Sequence, residues 1–321
     1  MEGIKISKRP RLKNPCLIVG WPGMGEVAFK AVSYLIDKLK AEEFAEIPSG
    51  EFFYLTESVI REGVLSIPAL PFSKFYYYKD KSGKNDLIFM LSDAQPDLAK
   101  AEEYCGRIIA LAKSFKIKKV IGFAAMPQPV DHNQPANVWF TATEQKMVAD
   151  LKKFDINLLN EGQISGLNGL FLGLAKQEGI DGLCLLGEIP LYTIQIENPK
   201  AAYAVLDALS KILALKLNLS ELTEQSRAME TQINSLFDHL KLGPTPGPIG
   251  EDEIEKIKKS LSQLTKLPQS IKEKIEKLFT QAGSDISKAN ELKSELDKWS
   301  VYKEYEDRFL DLFKKTKGKN N

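Results

Sequence analysis

A chain of 321 residues, 43% of them hydrophobic, is long enough for one large domain or two modest ones with a sizeable core. Its 44 Lys and Arg against 43 Asp and Glu leave a formal charge of +1, so no global basic field marks a nucleic-acid or anionic-membrane partner. No apolar run approaches the roughly 20 residues that cross a bilayer, and the basic start MEGIKISKRPRLKNPCLIVG lacks the apolar length and small-residue cleavage site of a secretory signal. The isolated cysteines Cys16, Cys105 and Cys184 read as reduced core thiols, and the expectation is a cytoplasmic protein.

Along the chain, strand-like and helix-like segments alternate. Cys16 to Val19 is wholly apolar, the mark of a strand buried on both faces, and Val27 to Leu39 has helical spacing. Between them lies the glycine turn GWPGMGE. Phe52 to Ile60 and Phe72 to Tyr78 are aromatic and β-branched, hence strand-like, with no helix between them, which predicts an antiparallel portion of the sheet. KDKSGKND is a hairpin turn into the buried strand LIFML. Pro96 opens a helix over Asp97 to Phe115. KVIGFAA is the next strand, and a proline-rich loop, PQPVDHNQPANVWFTAT, runs into another. A helix over Glu144 to Lys153, the short strand INLLN, a helix over Gly166 to Glu178 and the apolar strand GLCLLG follow. YTIQI alternates like a strand, and Asn198-Pro199 caps and opens a long helix.

From Leu217 the character changes. Leu219, Leu222, Met229, Ile233 and Leu236 recur at helical steps, with Ser220 as a capping start. GPTPGPIG is the clearest linker. Beyond it come helical stripes at Ile254, Ile257, Leu261 and Leu264, at Ile271, Ile275 and Leu278, and at Leu292, Leu296, Trp299, Tyr302, Phe309 and Phe313. The expected organisation is an α/β domain over residues 1–242 with 218–242 as its helical extension, a linker over 243–250, and a small helical region over 251–321. The expected fold class is α/β: a mixed, mostly parallel sheet flanked by helices, with an all-helical C-terminal extension.

The glycine turn is the first candidate site. A phosphate-binding loop reads G-x-x-x-x-G-K-[ST]. Gly20 and Gly25 have that separation, but Glu26 and Val27 replace the lysine and the hydroxyl. The dinucleotide fingerprint fails at Trp21-Pro22. Glu26 in a first helical turn would interact with the N–H dipoles and repel a phosphate, whereas Gly23 and Gly25 would supply positive φ and a close strand–helix approach. His132 lies beside Asp131 in a polar loop and reads more readily as a surface residue than as a general base; His239 reads as structural near a helix end. No zinc motif occurs, and no metal or cofactor is expected. Ser165 has the wrong spacing for a nucleophile elbow. Asp93, Asp97 and Glu188 follow apolar strands, where α/β proteins place their sites, although Asp93 also suits a cap or turn and Asp97 the N-terminal turn of a helix.

PCLIVGWPGMGEVAFKAVSYLI resembles the opening of the proteasome assembly chaperone 2 family, where a strand ends in a glycine-proline-glycine turn before the first helix. EGQISGLNGLFLGLAKQEGIDGLCLLGEIPLYTIQIENPKAAYAVLDALSKIL resembles its second half: Gly166 and Gly169 at a helix start, a strand ending Leu186-Gly187-Glu188, then Pro190-Leu191-Tyr192, then Pro199. The likeness covers residues 10 to 240. It implies a phosphorylase- or hydrolase-like α/β fold, similar to that of purine nucleoside phosphorylases, and a homo-oligomer, commonly a trimer in bacterial members. Eukaryotic members assist assembly of the proteasome α-ring, and some archaeal members dock through a hydrophobic–tyrosine–any tail; this sequence closes KKTKGKNN, without that tail. Some bacterial members carry an ATP-grasp-type ligase label, for which these residues give no phosphate-gripping lysine.

The expectation is therefore a non-catalytic protein that assembles with itself and with proteasome-like or other protein partners, and with neither nucleic acid nor membrane. Its candidate partner contacts are Trp299, Tyr302, Phe309 and Phe313, although an apolar stripe at helical spacing is usually core and these aromatics then close a small helical subdomain. The alternative is a nucleotide- or nucleoside-binding enzyme with a deep crevice at Gly20, Pro22, Gly23, Gly25, Asp93, Glu188 and Tyr192. Fold alone does not choose between them.

Overall fold

The computed structural model describes residues 3–54, 58–61, 63–80, 86–241, 269–284 and 288–298, together with 302, 305, 306, 308–310 and 312. The chain divides into two compact units, Met1–Ser235 and Leu236–Asn321.

The first unit is built on strands β1 (Lys5–Ile6), β2 (Cys16–Gly20), β3 (Glu42–Glu46), the hairpin β4 (Val59–Arg61) and β5 (Val64–Ser66), then β6 (Ser73–Tyr78), β7 (Leu87–Ser92), β8 (Lys119–Gln128), β9 (Val138–Ala142), β10 (Asn157–Leu158) and β11 (Asp181–Pro190). Its helices are α1 (Val27–Lys38), α2 (Ala101–Ser114), α3 (Gln145–Leu151), α4 (Leu167–Gln177), α5 (Pro199–Leu213) and α6 (Ser220–Lys241).

Nine strands form one sheet in the order β1-β3-β6-β7-β2-β8-β11-β9-β10. The centre, β7-β2-β8-β11, is parallel, while β1, β3 and β6 on one side and β9 on the other join antiparallel. The mixed α/β sheet expected from the strand–helix alternation is thus present. The central strands are apolar throughout because helices cover both faces. Leu17, Val19, Ile88, Met90, Val120 and Cys184 share a core with Tyr104, Ile108 and Phe171 of α2 and α4. On the other face α1 and α5 pack on the sheet and on each other.

Three helices that lead into strands end alike, with a stop that α5 shares at Ala214 (φ 52°). After α1, α2 and α4 the residues Lys40, Lys116 and Gly179 take φ of 52°, 57° and 77°. The next amide then reaches back five residues: Ala41 to the Ile36 carbonyl, Ile117 to Ala112 and Ile180 to Ala175. This is the left-handed stop that satisfies the last carbonyls of a helix, and each time it delivers the chain into a strand.

Two segments depart from the sequence reading. Phe52 to Ile60 is not one strand: Phe52 and Phe53 are buried in a turn, Phe52 stacked edge-on to Tyr104 at 5.1 Å, and among the described residues of the segment strand begins at Val59. Their aromatic composition reflects core packing rather than a pleat. YTIQI is a tight turn, Leu191–Thr193 and beyond, which Thr193 closes by donating to the Pro190 carbonyl at 2.9 Å.

Candidate functional site

At the glycine turn, Gly20 ends β2 against α1, and a Cβ there would lie 2.7 Å from Val32 Cγ2 and 2.8 Å from the Ala28 carbonyl. Trp21 turns inward, fully buried, at a ring-centroid distance of 5.6 Å from Phe171. The Asn168 side chain grips the Trp21 backbone as a neighbouring strand would: Oδ1 accepts from the Trp21 amide and Nδ2 donates to its carbonyl, each at 3.1 Å. Gln95 Nε2 donates to the Pro22 carbonyl at 2.8 Å. The Gly25 amide donates to the Ile194 carbonyl at 2.7 Å, and its own carbonyl accepts from the Asn198 amide at 2.8 Å. The Glu26 amide donates to the Gly23 carbonyl at 3.0 Å. Amides that a phosphate would need are therefore engaged within the protein.

The backbone corrects one expectation. Gly23 is extended (φ −170°), and the left-handed pair is Gly25 (φ 60°) and Glu26 (φ 51°). Burial raises the Glu26 carboxyl pKa, the neighbouring Glu197 raises it further, and hydrogen bonding from the Gly23 amide works the other way.

The three carboxylates do not converge. Asp93 is exposed and accepts from the Phe72 amide at 2.7 Å, closing the β6–β7 end. Asp97 caps the turn before α2, accepting from the Ala99 amide at 2.8 Å. Glu188, buried on β11, accepts from Asn137 Nδ2 at 2.7 Å. The helix-cap reading at Asn198 holds, its Oδ1 accepting from the Ala201 amide at 3.0 Å, whereas Asp97, read as a first-turn residue of its helix, is the cap in front of it.

His132, expected at the surface, is buried. Tyr192 Oη accepts from the His132 amide at 2.9 Å and lies 2.8 Å from Nδ1. On the other side of the ring, Nε2 lies 2.9 Å from Asn234 Oδ1, so the imidazole bridges Tyr192 and Asn234. Burial pushes the Tyr192 phenol up to about 12, so it is protonated at neutral pH. Lys200 Nζ donates to the His132 carbonyl, donates to the Gln134 carbonyl at 3.0 Å and pairs with Glu230. The loop after β8 is thereby fastened to α5 and α6. Sequence spacing carried no sign of this cluster, in which Tyr192, Lys200 and Asn234 lie 60 to 102 residues from His132.

The cavity beside Glu188 and His132 measures about 20 Å³, the room of one water. A groove of about 630 Å³ runs between the β9–β10 edge, α5 and α6, past Phe154, Tyr203, Asp207 and Arg227, and the glycine turn has no part in it. Among the described residues no group of three or more His, Cys, Asp or Glu is placed to hold a metal, and no helix is long and apolar enough to cross a membrane.

In the second unit, Ile275, Leu278 and Phe279 of the helix Gln269–Ser284 and Leu292 and Leu296 of the helix Ala289–Lys298 are buried. Phe309 is buried too, edge-on to Tyr302 at 5.4 Å. Trp299, Phe313, the stripe from Ile254 to Leu264, the linker 243–250 and the side chain of His239 lie outside the described residues.

The fold and these residues can be set against known proteins. The chain is similar to PbaB of Pyrococcus furiosus, described as an archaeal proteasome activator, with 29% identity over 73% of this chain and 97% of that one, at a TM-score of 0.63. PbaA of the same organism, described as an archaeal homologue of a proteasome-assembly chaperone, is 25% identical over 73% of this chain and 96% of its own, at a TM-score of 0.56. An uncharacterized protein of Methanocaldococcus jannaschii is 26% identical over 266 residues, 77% of this chain and 94% of its own. The profile of the PAC2 family matches residues 17–237, more than half of the sequence, and the chain belongs to the PAC2 family.

Proposed function

We propose that this protein is a non-catalytic, self-associating assembly factor of the cytoplasm, which acts by holding protein partners, a proteasome-like ring among them. The observation that carries the reading is the similarity to PbaB along 97% of that chain, at 29% identity, because PbaB is described as a proteasome activator. The engaged glycine turn supports it: Trp21, Gly25 and Glu26 give their amides to Asn168, Ile194 and Gly23. The enzyme reading needs those donors and converging carboxylates, and Asp93, Asp97 and Glu188 each serve a separate backbone or side-chain partner.

The test is to mix the purified chain with archaeal proteasome core particles and follow co-sedimentation and peptidase turnover. Binding with altered turnover is expected; no association at micromolar concentration would sink the client assignment. Size-exclusion with light scattering reads self-association, and a strict monomer there would remove that part. Pull-downs with and without residues 251–321 ask whether the second unit selects partners, and an unchanged partner set excludes it.

A further inference from the structure

The groove of about 630 Å³ beside β9 and β10 is long and narrow. One wall is α5 from Lys200 to Lys211, about 16 Å of helix at about 1.5 Å per residue. α6 returns along the other wall, from Thr223 to Glu230. A channel of that length takes about five residues of extended chain at about 3.3 Å each. On the sheet side Val138, Phe154 and Ile156 make the wall apolar. β10, which adds Asn157 to the lining, ends the sheet order, and no described strand lies beyond it. Six charged side chains line the groove: Lys200, Lys211 and Arg227 against Asp155, Asp207 and Glu230. Lys200 pairs with Glu230 and Lys211 with Asp207, while Asp155 adds to the negative field at Lys211. Arg227 is exposed and, among the described residues, has no carboxylate partner. One helical turn from the Lys200–Glu230 tie come Tyr203 on α5 and Arg227 on α6. Tyr203 is 37% exposed, and its hydroxyl has no hydrogen-bond partner among the described residues. Two donor groups therefore line one groove without an acceptor.

We propose that this groove binds an extended segment of a partner protein, about five residues long, that carries one Asp or Glu side chain between apolar residues. The proposal rests on the reading of a protein that holds protein partners, and it names a site and a chemistry for one. The carboxylate accepts from the Arg227 guanidinium, whose parallel N–H groups match its two oxygens, and from the Tyr203 hydroxyl. A phosphate brings nearly two charges into a groove that already holds Asp155, Asp207 and Glu230, so the anion that fits is the singly charged one. It comes from a side chain within the segment rather than from a chain end, because the groove continues past Arg227 both ways, to Glu230 and to Thr223. The flanking apolar side chains cover Phe154 and Ile156. The segment's backbone lies where one more strand would pair with β10, so main-chain hydrogen bonds add to the affinity.

The experiment is selection of a random heptapeptide display library on the unaltered full chain, followed by fluorescence anisotropy of the selected peptides carrying a fluorescein label. Enriched sequences are expected to hold one Asp or Glu flanked by apolar residues. Arg227→Ala, and amidation of the acid in the peptide, should each weaken binding about tenfold or more. The two changes together should cost little more than either alone, the mark of a direct pair. Tyr203→Phe should weaken binding about threefold through the lost donor. Melting temperatures check that the variants fold. No enriched sequence, or enriched peptides indifferent to Arg227→Ala, overturns the proposal and leaves association with proteasome core particles to its own test. Peptides that need Arg227 beside core particles that do not bind remove the proteasome client and keep this site. A phosphoserine peptide that binds more tightly than its glutamate counterpart overturns the carboxylate. Peptide binding that weakens as the chain's own concentration rises means that a second copy fills the groove, which overturns the choice of occupant.

Discussion

Glu26 sits at φ 51°, where a Cβ is crowded, with a carboxyl pKa raised by burial and by Glu197. A carboxyl whose folded pKa lies above its unfolded value stabilises the fold fully at pH below the unfolded value and loses that contribution as pH rises through the folded one. At neutral pH the charge is therefore a burden. Glu26→Gln should raise the melting temperature at pH 7 to 8, with the gain disappearing below the ordinary carboxyl range; thermal melts across pH read it directly, and an equal gain at every pH would refute the electrostatic account. The same residue explains how far the turn was legible. The missing lysine and the presence of Glu26 were enough to argue against a phosphate. The engagement of the amides was not visible, because it depends on Asn168 and Ile194, which lie 147 and 169 positions away from Trp21 and Gly25.

At the scale of elements, the strand ends and helix ends carry separate lessons. Gly20 is a glycine because α1 presses on β2, so Gly20→Ala should cost about 1–3 kcal/mol as overpacking, read by denaturant unfolding. Lys40 and Lys116 occupy the left-handed stop that Gly179 fills in the third helix. Lys116→Gly should stabilise by about 0.5–1 kcal/mol, the relief of the left-handed conformation less the entropy glycine adds to the unfolded chain. A loss of stability in equilibrium unfolding would refute it. The central strands were legible because burial on both faces leaves a continuous apolar signature. β1 and β3 were not: β3 reads EEFAE and faces water at its first two positions, and β1 is two residues long. Phe52 and Phe53 misled in the opposite direction, since residues suited to a pleat also suit a core turn. Asn198 was read correctly because capping is a local signal.

Across the whole molecule, two of the three cysteines sit deep in the sheet and in α2. Burial pushes the thiols of Cys105 and Cys184 up to about 12, so both are protonated at pH 8. Neither should react with a thiol reagent until the protein is unfolded, and labelling of Cys184 in the native state, followed by mass spectrometry, would contradict the packing. The division into Met1–Ser235 and Leu236–Asn321 falls within α6, ahead of the Gly/Pro segment that the sequence offers as a linker. Composition finds a linker by its prolines; a unit boundary depends on which turns of a helix find neighbours to pack on, and no composition shift marks that point.

α6 is fixed near Glu230 by Lys200 and near Asn234 by the His132 imidazole. The same imidazole lies 2.8 Å from Tyr192 Oη, and the same lysine holds the His132 carbonyl. One histidine thus ties together three pieces of chain that meet nowhere in the sequence: the loop after β8, the turn after β11 and α6.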